Sequence, residues 1–192
     1  MRFPKFSEVI SSYVAVEQQD IAILESLLNY ESVKKGTCLV EPGKSTDKMF
    51  FVLSGYLRTF RTLETAEEQV VHLSAPGCFI TSINSFFLGA ISKETLQAIT
   101  DCEILYISKS DLEKLYSMDS KWQAFGRMLM EGILIGKEER IVDLLFLTAH
   151  EKYLKLIEQS PDIIQNVPVK YIASFIGIQP ESLSRIRKTI EK

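Results

Sequence analysis

Cysteine and histidine are scarce in this chain of 192 residues. Cys38, Cys78 and Cys102 stand far apart, as do His72 and His150. Three scattered thiols make neither a disulfide framework nor a spaced set of zinc ligands, and an iron–sulfur cluster would need a fourth. Two isolated histidines support no His-centred catalytic site and no cluster of His and carboxylate metal ligands, so an enzyme is not expected. No apolar run approaches the ~20 residues that a membrane span needs. The N-terminus, MRFPKFSEVISSYV, lacks the apolar stretch followed by small residues of a signal peptide. These absences favour a cytoplasmic protein with no membrane partner.

What is present is a foldable mixture. Hydrophobic residues make up 46% and charged residues 24%, enough for a real core and against disorder. Glu17 to Asn29 places Ile21, Leu24, Leu27 and Leu28 at helical spacing. From Glu31 to Ile107 the period shortens. Segments such as Met49-Phe50-Phe51-Val52-Leu53, Tyr56 to Phe60 and Gln69 to Leu73 are rich in β-formers, and Gly36, Gly43, Gly55 and Gly77 sit in the breaks between segments. Short strands at such intervals predict an antiparallel sandwich or jelly roll. Gly55 fits a tight hairpin turn, and Leu96 to Thr100 with Cys102 to Ile107 reads as a final strand pair broken at Asp101.

After Ser108 the pattern is helical. Ser108 or Ser110 caps a helix through Leu112 and Leu115, and Asp119 opens a long one reaching about Leu147. Its middle is apolar around more than one face. A stripe packed only on its own domain needs fewer such residues, which points to the same helix of a second subunit. The expected dimer interface is Phe125, Met128, Leu129, Gly132, Ile133 and Gly136, with the glycines, Gly126 among them, allowing close backbone approach. His150 to Glu158 follows as a helix with Tyr153, Leu154 and Ile157 inward, and Ser160-Pro161-Asp162 punctuates it.

The stretch from Val167 to Lys188, VPVKYIASFIGIQPESLSRIRK, organises the rest. Ile172, Phe175 and Ile176 make one apolar stripe, and Gly177 suits the left-handed turn that closes a helix. Pro180 suits the first turn of the next. Leu183, Ile186 and Ile190 carry a second stripe, with Ser182, Ser184, Arg185, Arg187 and Lys188 between them. Helix, Gly turn and cationic second helix predict a DNA-reading helix-turn-helix. Charge agrees. Residues 166–192 carry five cations against two carboxylates, net +3, which leaves −6 for the rest of a chain whose total is −3.

The layout of β-roll, long helix and C-terminal helix-turn-helix resembles the Crp/Fnr family of bacterial transcription regulators over nearly the whole chain. The segment YIASFIGIQPESLSRIRK is its most specific part, and Gly36, Gly43, Gly55 and Gly77 are similar to the glycines shaping the family's cyclic-nucleotide-binding-like roll. The resemblance implies an α+β protein with a sensor roll over residues 1–118, a dimerisation helix over 119–147 and a DNA-binding domain over 148–192. It implies a homodimer on a pseudo-palindromic double-stranded operator, RNA polymerase as a further partner, and a small-molecule effector. Glu181 and Arg185 match the family's base-contacting positions, with Ser182 beside them. The chemistry concurs, because Arg donates bidentately to guanine and Glu accepts from cytosine N4. Arg187 and Lys188 fit phosphate contacts, and Lys170 adds a cation on the preceding helix.

One departure bears on the effector. Members that bind cyclic nucleotides carry a Gly-Glu pair and then an Arg after the Pro-Gly-like turn. Here Pro76-Gly77 is followed by Thr81 and Ser82 at the Gly-Glu positions. Lys93 beside Glu94 stands where the Arg should fall. A buried phosphate needs paired charge, so cyclic AMP is not the expected effector and no cofactor is assigned. The candidate pocket is Phe79, Thr81, Ser82, Lys93 and Glu94. The alternative function is a small-molecule-sensing module that signals through protein contacts without reading DNA.

Overall fold

A computed structural model describes residues 3–190. Helices α1 (Pro4–Tyr13) and α2 (Gln18–Leu27) precede six strands: β1 (Asn29–Val33), β2 (Cys38–Val40), β3 (Lys48–Ser54), β4 (Leu57–Thr62), β5 (Glu68–Ser74) and β6 (Phe79–Ile80). A short α3 (Ile83–Leu88) leads to β7 (Thr95–Ala98) and β8 (Cys102–Ser108). The rest is helical: α4 (Lys109–Met118), α5 (Ser120–Phe146), α6 (Ala149–Gln159), α7 (Pro161–Asn166), α8 (Val169–Ile176) and α9 (Pro180–Ile190).

The strands form two antiparallel four-stranded sheets, ordered β1-β8-β3-β6 and β2-β7-β4-β5. Between them Val33, Phe50, Val52, Leu57, Leu96 and Ile104 make one apolar cluster. This is the roll expected from the strand spacing, with two differences in pairing. β7 and β8 lie in different sheets and are not partners, and the same holds for β3 and β4 on either side of Gly55. Gly55 therefore turns the chain from one sheet to the other rather than closing a hairpin. It does so at φ +83°, where a Cβ would lie 2.4 Å from the Asp101 carbonyl oxygen, so only glycine fits.

Helices cover both outer faces. Phe6, Leu24, Phe51, Leu115, Trp122 and Phe125 join α1, α2, α4 and α5 to the first sheet. On the second sheet Phe60, Val70, Leu73 and Ile99 form one cluster with Tyr153, Ile163, Ile172, Ile176 and Leu183 of the C-terminal helices. Local chemistry sets the boundaries. Asp119 caps α5 by accepting from the Lys121 N–H, and Thr148 with Glu151 forms a capping box on α6. Among the described residues no helix is long and apolar enough to cross a membrane.

Candidate nucleic-acid interface and sensor roll

The helix-turn-helix is built as the punctuation of the sequence requires. α8 ends at Gly177, which adopts φ 82° and ψ 34°. The Gly177 and Ile178 N–H groups both donate to the Ala173 carbonyl at 3.0 Å, closing a Schellman-type cap. Pro180 opens α9, and the Ser182 and Leu183 N–H groups reach back to the Gln179 carbonyl at 3.0 and 3.2 Å. Leu183, fully buried, is the anchor that seats α9 on Ile172 and Ile176. Ile190, the last member of the second stripe, is 37% exposed.

With Leu183 inward, the polar positions of α9 fall outside. Glu181, Ser182, Arg185 and Lys188 are exposed, and Arg187 is half-buried. Lys170, on α8, is exposed and lies 4.8 Å from the centre of the Tyr171 ring. The structure thus gathers Glu181, Ser182, Arg185 and Lys188 on one short helix that offers cationic and hydrogen-bonding groups to solvent.

The candidate dimer residues separate into two sets. Phe125 and Leu129 are buried in the chain's own core and Ile133 packs partly against it, because the N-terminal half of α5 lies on the first sheet with α1 and α4. Gly126 makes its close approach inside the chain, where a Cβ would meet the Tyr116 hydroxyl at 2.2 Å. These residues therefore do not present the interface expected of them. Met128 is 36% exposed, and Gly132 and Gly136 face open space. The unpartnered apolar surface lies further along: Leu134, Ile135, Ile141, Val142, Leu145 and Phe146 are exposed, Leu145 at 72% and Phe146 at 77%. Leu134 with Ile141, and Ile135 with Val142, recur at the seven-residue spacing of a helix that pairs with another.

The candidate effector residues are each engaged in contacts of their own or exposed. Phe79 is drawn into an aromatic cluster, 4.9 Å from Phe51 and 5.9 Å from Phe125 between ring centres. The Thr81 hydroxyl donates to the Lys48 carbonyl at 2.7 Å, and the Ser82 and Ser92 hydroxyls bond to each other at 3.1 Å. Glu94 pairs with Arg61 at 2.9 Å, and Lys93 is exposed. The Thr81 and Ser82 hydroxyls are thus satisfied by the chain itself, and the nearby Arg61 guanidinium is paired with Glu94. His72 lies at an exposed position of β5 and Cys78 is half-buried. Among the described residues no group of His, Cys, Asp and Glu could hold a metal.

Sequence reasoning missed the polar junction between the roll and α8. Arg58 of β4, 4% exposed, donates to Glu68 at 2.6 Å and to Gln97 at 2.6 and 3.0 Å. Its guanidinium carbon lies 4.0 Å from the centres of both the Phe60 and Tyr171 rings. Ser174 binds the open edge of β5: its hydroxyl accepts from the Val70 N–H at 2.9 Å and donates to the Glu68 carbonyl at 3.0 Å. The last turn of α8 is served from outside the helix, by Gln69 donating to the Ser174 carbonyl and Arg140 of α5 donating to the Phe175 carbonyl. Burial lowers the Arg140 pKa and the Asp143 carboxylate opposes it, and an arginine so placed keeps its charge.

Residues 30–119 match the cyclic nucleotide-binding domain. Over the chain, the structure is similar to that of FixK2 from Bradyrhizobium japonicum, with a TM-score of 0.75, 19% identity, and 85% of this chain and 84% of that one covered. The chain has the Crp/Fnr-type fold. Within it, the c-di-GMP-responsive global regulator CLP of Xanthomonas campestris is similar at TM-score 0.68 and 19% identity, with 91% and 92% covered. The catabolite activator protein of Thermus thermophilus is similar at 0.60 and 16%, with 95% and 86% covered. No curated protein matches the sequence. At these identities the likeness establishes the fold. The Crp/Fnr-type arrangement accounts for the order of roll, long helix and helix-turn-helix.

Proposed function

We propose that the protein is a homodimeric, sequence-specific DNA-binding transcription regulator. The observation that carries this reading is α9, a short amphipathic helix anchored by Leu183 that presents Glu181, Ser182, Arg185 and Lys188 to solvent directly after a tight Gly turn. Arg185 reads a guanine and Glu181 a cytosine in the major groove, while Lys188, Arg187 and Lys170 hold phosphates. The global regulator and the catabolite activator of similar fold named above support the reading, as does the concentration of cations on the last helices of an acidic chain.

Dimerisation proceeds through the C-terminal half of α5. Leu134, Ile135, Ile141, Val142, Leu145 and Phe146 form an apolar surface that water disfavours and a second copy would cover. Two-fold pairing sets the two recognition helices about one DNA turn apart, roughly 34 Å, and calls for an inverted-repeat operator. The roll serves as the sensor for an effector other than cyclic AMP, because the Thr81 and Ser82 hydroxyls are bonded within the chain and the Arg61 guanidinium is taken by Glu94. Selection of duplexes from a random pool by the purified protein tests the proposal. Recovery of an inverted repeat supports it, and a pool without a motif, with or without cell extract, rejects it.

A further inference from the structure

The first sheet and the helices laid over it do not close completely. Phe6 of α1, Leu24 of α2, Phe51 of β3, Leu115 of α4, and Phe125 and Leu129 of α5 wall a cavity of about 30 Å³. It lies on the outer face of that sheet, away from the cluster between the two sheets. A volume of this kind holds roughly two water-sized spheres, and a buried water needs about two to four polar partners. The walls offer few. No lining side chain is charged, and Tyr106 and Tyr116 are the lining residues with polar side-chain atoms. Tyr106 turns its ring the other way, toward Phe50 and the Lys48 ammonium. The cavity therefore suits a hydrocarbon guest, as dry apolar cavities in proteins do.

Tyr116 supplies the polar part of the wall. Its hydroxyl lies against the α5 backbone at Gly126, where there is no room for a Cβ. Burial alone raises the phenol pKa, with no bonded group of the chain contributing, so the hydroxyl keeps a proton to donate. The cavity also reaches the surface. Phe87, near the end of α3, lines it and is 37% exposed. With Phe87 begins an exposed apolar run, Phe87-Leu88-Gly89-Ala90-Ile91, in which Leu88 is 78% exposed and Ile91 66%. A run of that kind is an error of design unless it serves a contact. An apolar void and an apolar surface strip thus meet at one phenylalanine.

We infer that cavity and strip together form the seat of an uncharged, chiefly hydrocarbon ligand. Its end fills the cavity, its acceptor atom takes the Tyr116 hydroxyl, and its remainder lies along Phe87–Ile91. The inference rests on the effector-sensing role proposed above, and it names the effector's chemistry at a place outside the interior of the roll. A charged group would find nothing in the wall to pair with. The guest acts on α5 directly, because Tyr116 of α4 and Gly126 of α5 pack together at the cavity and α5 continues toward the helix-turn-helix. Coupling requires that the guest prefer one spacing of α4 and α5.

The test titrates the full-length protein with xenon and with methyl pentyl ketone, a hydrocarbon chain bearing one carbonyl acceptor. Methyl NMR signals and hydrogen exchange along α5 are followed. Both probes should shift the Leu115 and Leu129 methyls saturably and leave Val52, between the sheets, unmoved. Tyr116→Phe should spare xenon binding and weaken the ketone about fivefold. Leu88→Ser with Ile91→Ser, at exposed positions, should likewise weaken the ketone and spare xenon. Ketone binding should change exchange along α5. Absence of any saturable shift in the folded wild type overturns the site. A ketone affinity that neither variant alters overturns the assigned ligand class. Binding that leaves α5 exchange unchanged overturns the effector role. Altered α5 exchange in a protein that binds no duplex, with or without ketone, upholds the site and rejects the DNA-reading function alone.

Discussion

The guanidinium of Arg58 lies 4.0 Å from the centre of the Tyr171 ring, so a strand of the roll and the first helix of the helix-turn-helix meet over one stacked cation. The Phe60 ring centre lies at the same distance, and Glu68 and Gln97 take the hydrogen bonds. Arg58→Ala should destabilise the protein by about 2 kcal/mol in urea denaturation. That is less than the ~3–5 kcal/mol lost when one partner of a wholly buried pair is removed, because the Glu68 side chain keeps 44% of its exposure. Arg58→Lys should restore little of the loss. An ammonium cannot serve Glu68 and Gln97 with a planar fork while stacking between two rings. Full recovery by lysine would show that charge alone matters at this position.

Gly55→Ala should be among the most damaging single changes in the roll. The new Cβ would meet the Asp101 carbonyl at 2.4 Å and the Cys102 sulfur at 2.6 Å, in a backbone conformation with φ +83°. Overpacking costs about 1–3 kcal/mol and strained backbone about as much again, which places the sum at roughly 2–5 kcal/mol. Thermal unfolding of the variant checks this. Gly36→Ala is the control, since it has the same sign of φ and nothing within 4 Å of its Cβ, and it should lose only the backbone part.

Leu145→Glu should convert the proposed dimer to a monomer, as read by light scattering or sedimentation, while leaving the monomer folded. Leu145 is 72% exposed and touches no core of its own chain, so a carboxylate there costs the monomer nothing and charges the proposed pairing face. Phe125→Glu should behave differently and unfold the protein, because Phe125 is 5% exposed within the core beneath α5. A Leu145→Glu protein that still dimerises would move the interface elsewhere.

The sequence announced what local chemistry decides and was silent on what distant residues decide. Gly177 and Pro180 punctuate the helix-turn-helix because a left-handed φ and a missing N–H are properties of single residues, and Asp119 marks the start of α5 for the same reason. The β-rich stretch could be read as strands, but their assignment to two sheets could not. Adjacent strands β7 and β8 part company because pairing depends on positions far apart in the chain. Apolar periodicity on α5 showed that more than one face is greasy without showing what covers it. Phe125 and Leu129 are covered by their own chain, and Leu145 and Phe146 are not. Leu154, expected inward on α6, is 40% exposed. Helix α1 carries its own signal in Pro4 at the first turn and in Phe6 and Ile10 four apart, a stripe too short to stand out in sequence. Nothing about Arg58, Gln69 or Ser174 in sequence foretells the junction they form across the fold.

The most direct test of the account is a titration of Arg185→Ala and Lys188→Ala against the selected duplex and a scrambled one, each at two salt concentrations. If α9 reads bases, Arg185→Ala loses about 1–3 kcal/mol on the selected site and little on the scrambled one, with discrimination relaxed at one base pair. Lys188→Ala weakens both duplexes alike and lowers the salt dependence by about one phosphate contact. Equal losses on both duplexes for Arg185→Ala would contradict the claim that this helix reads sequence.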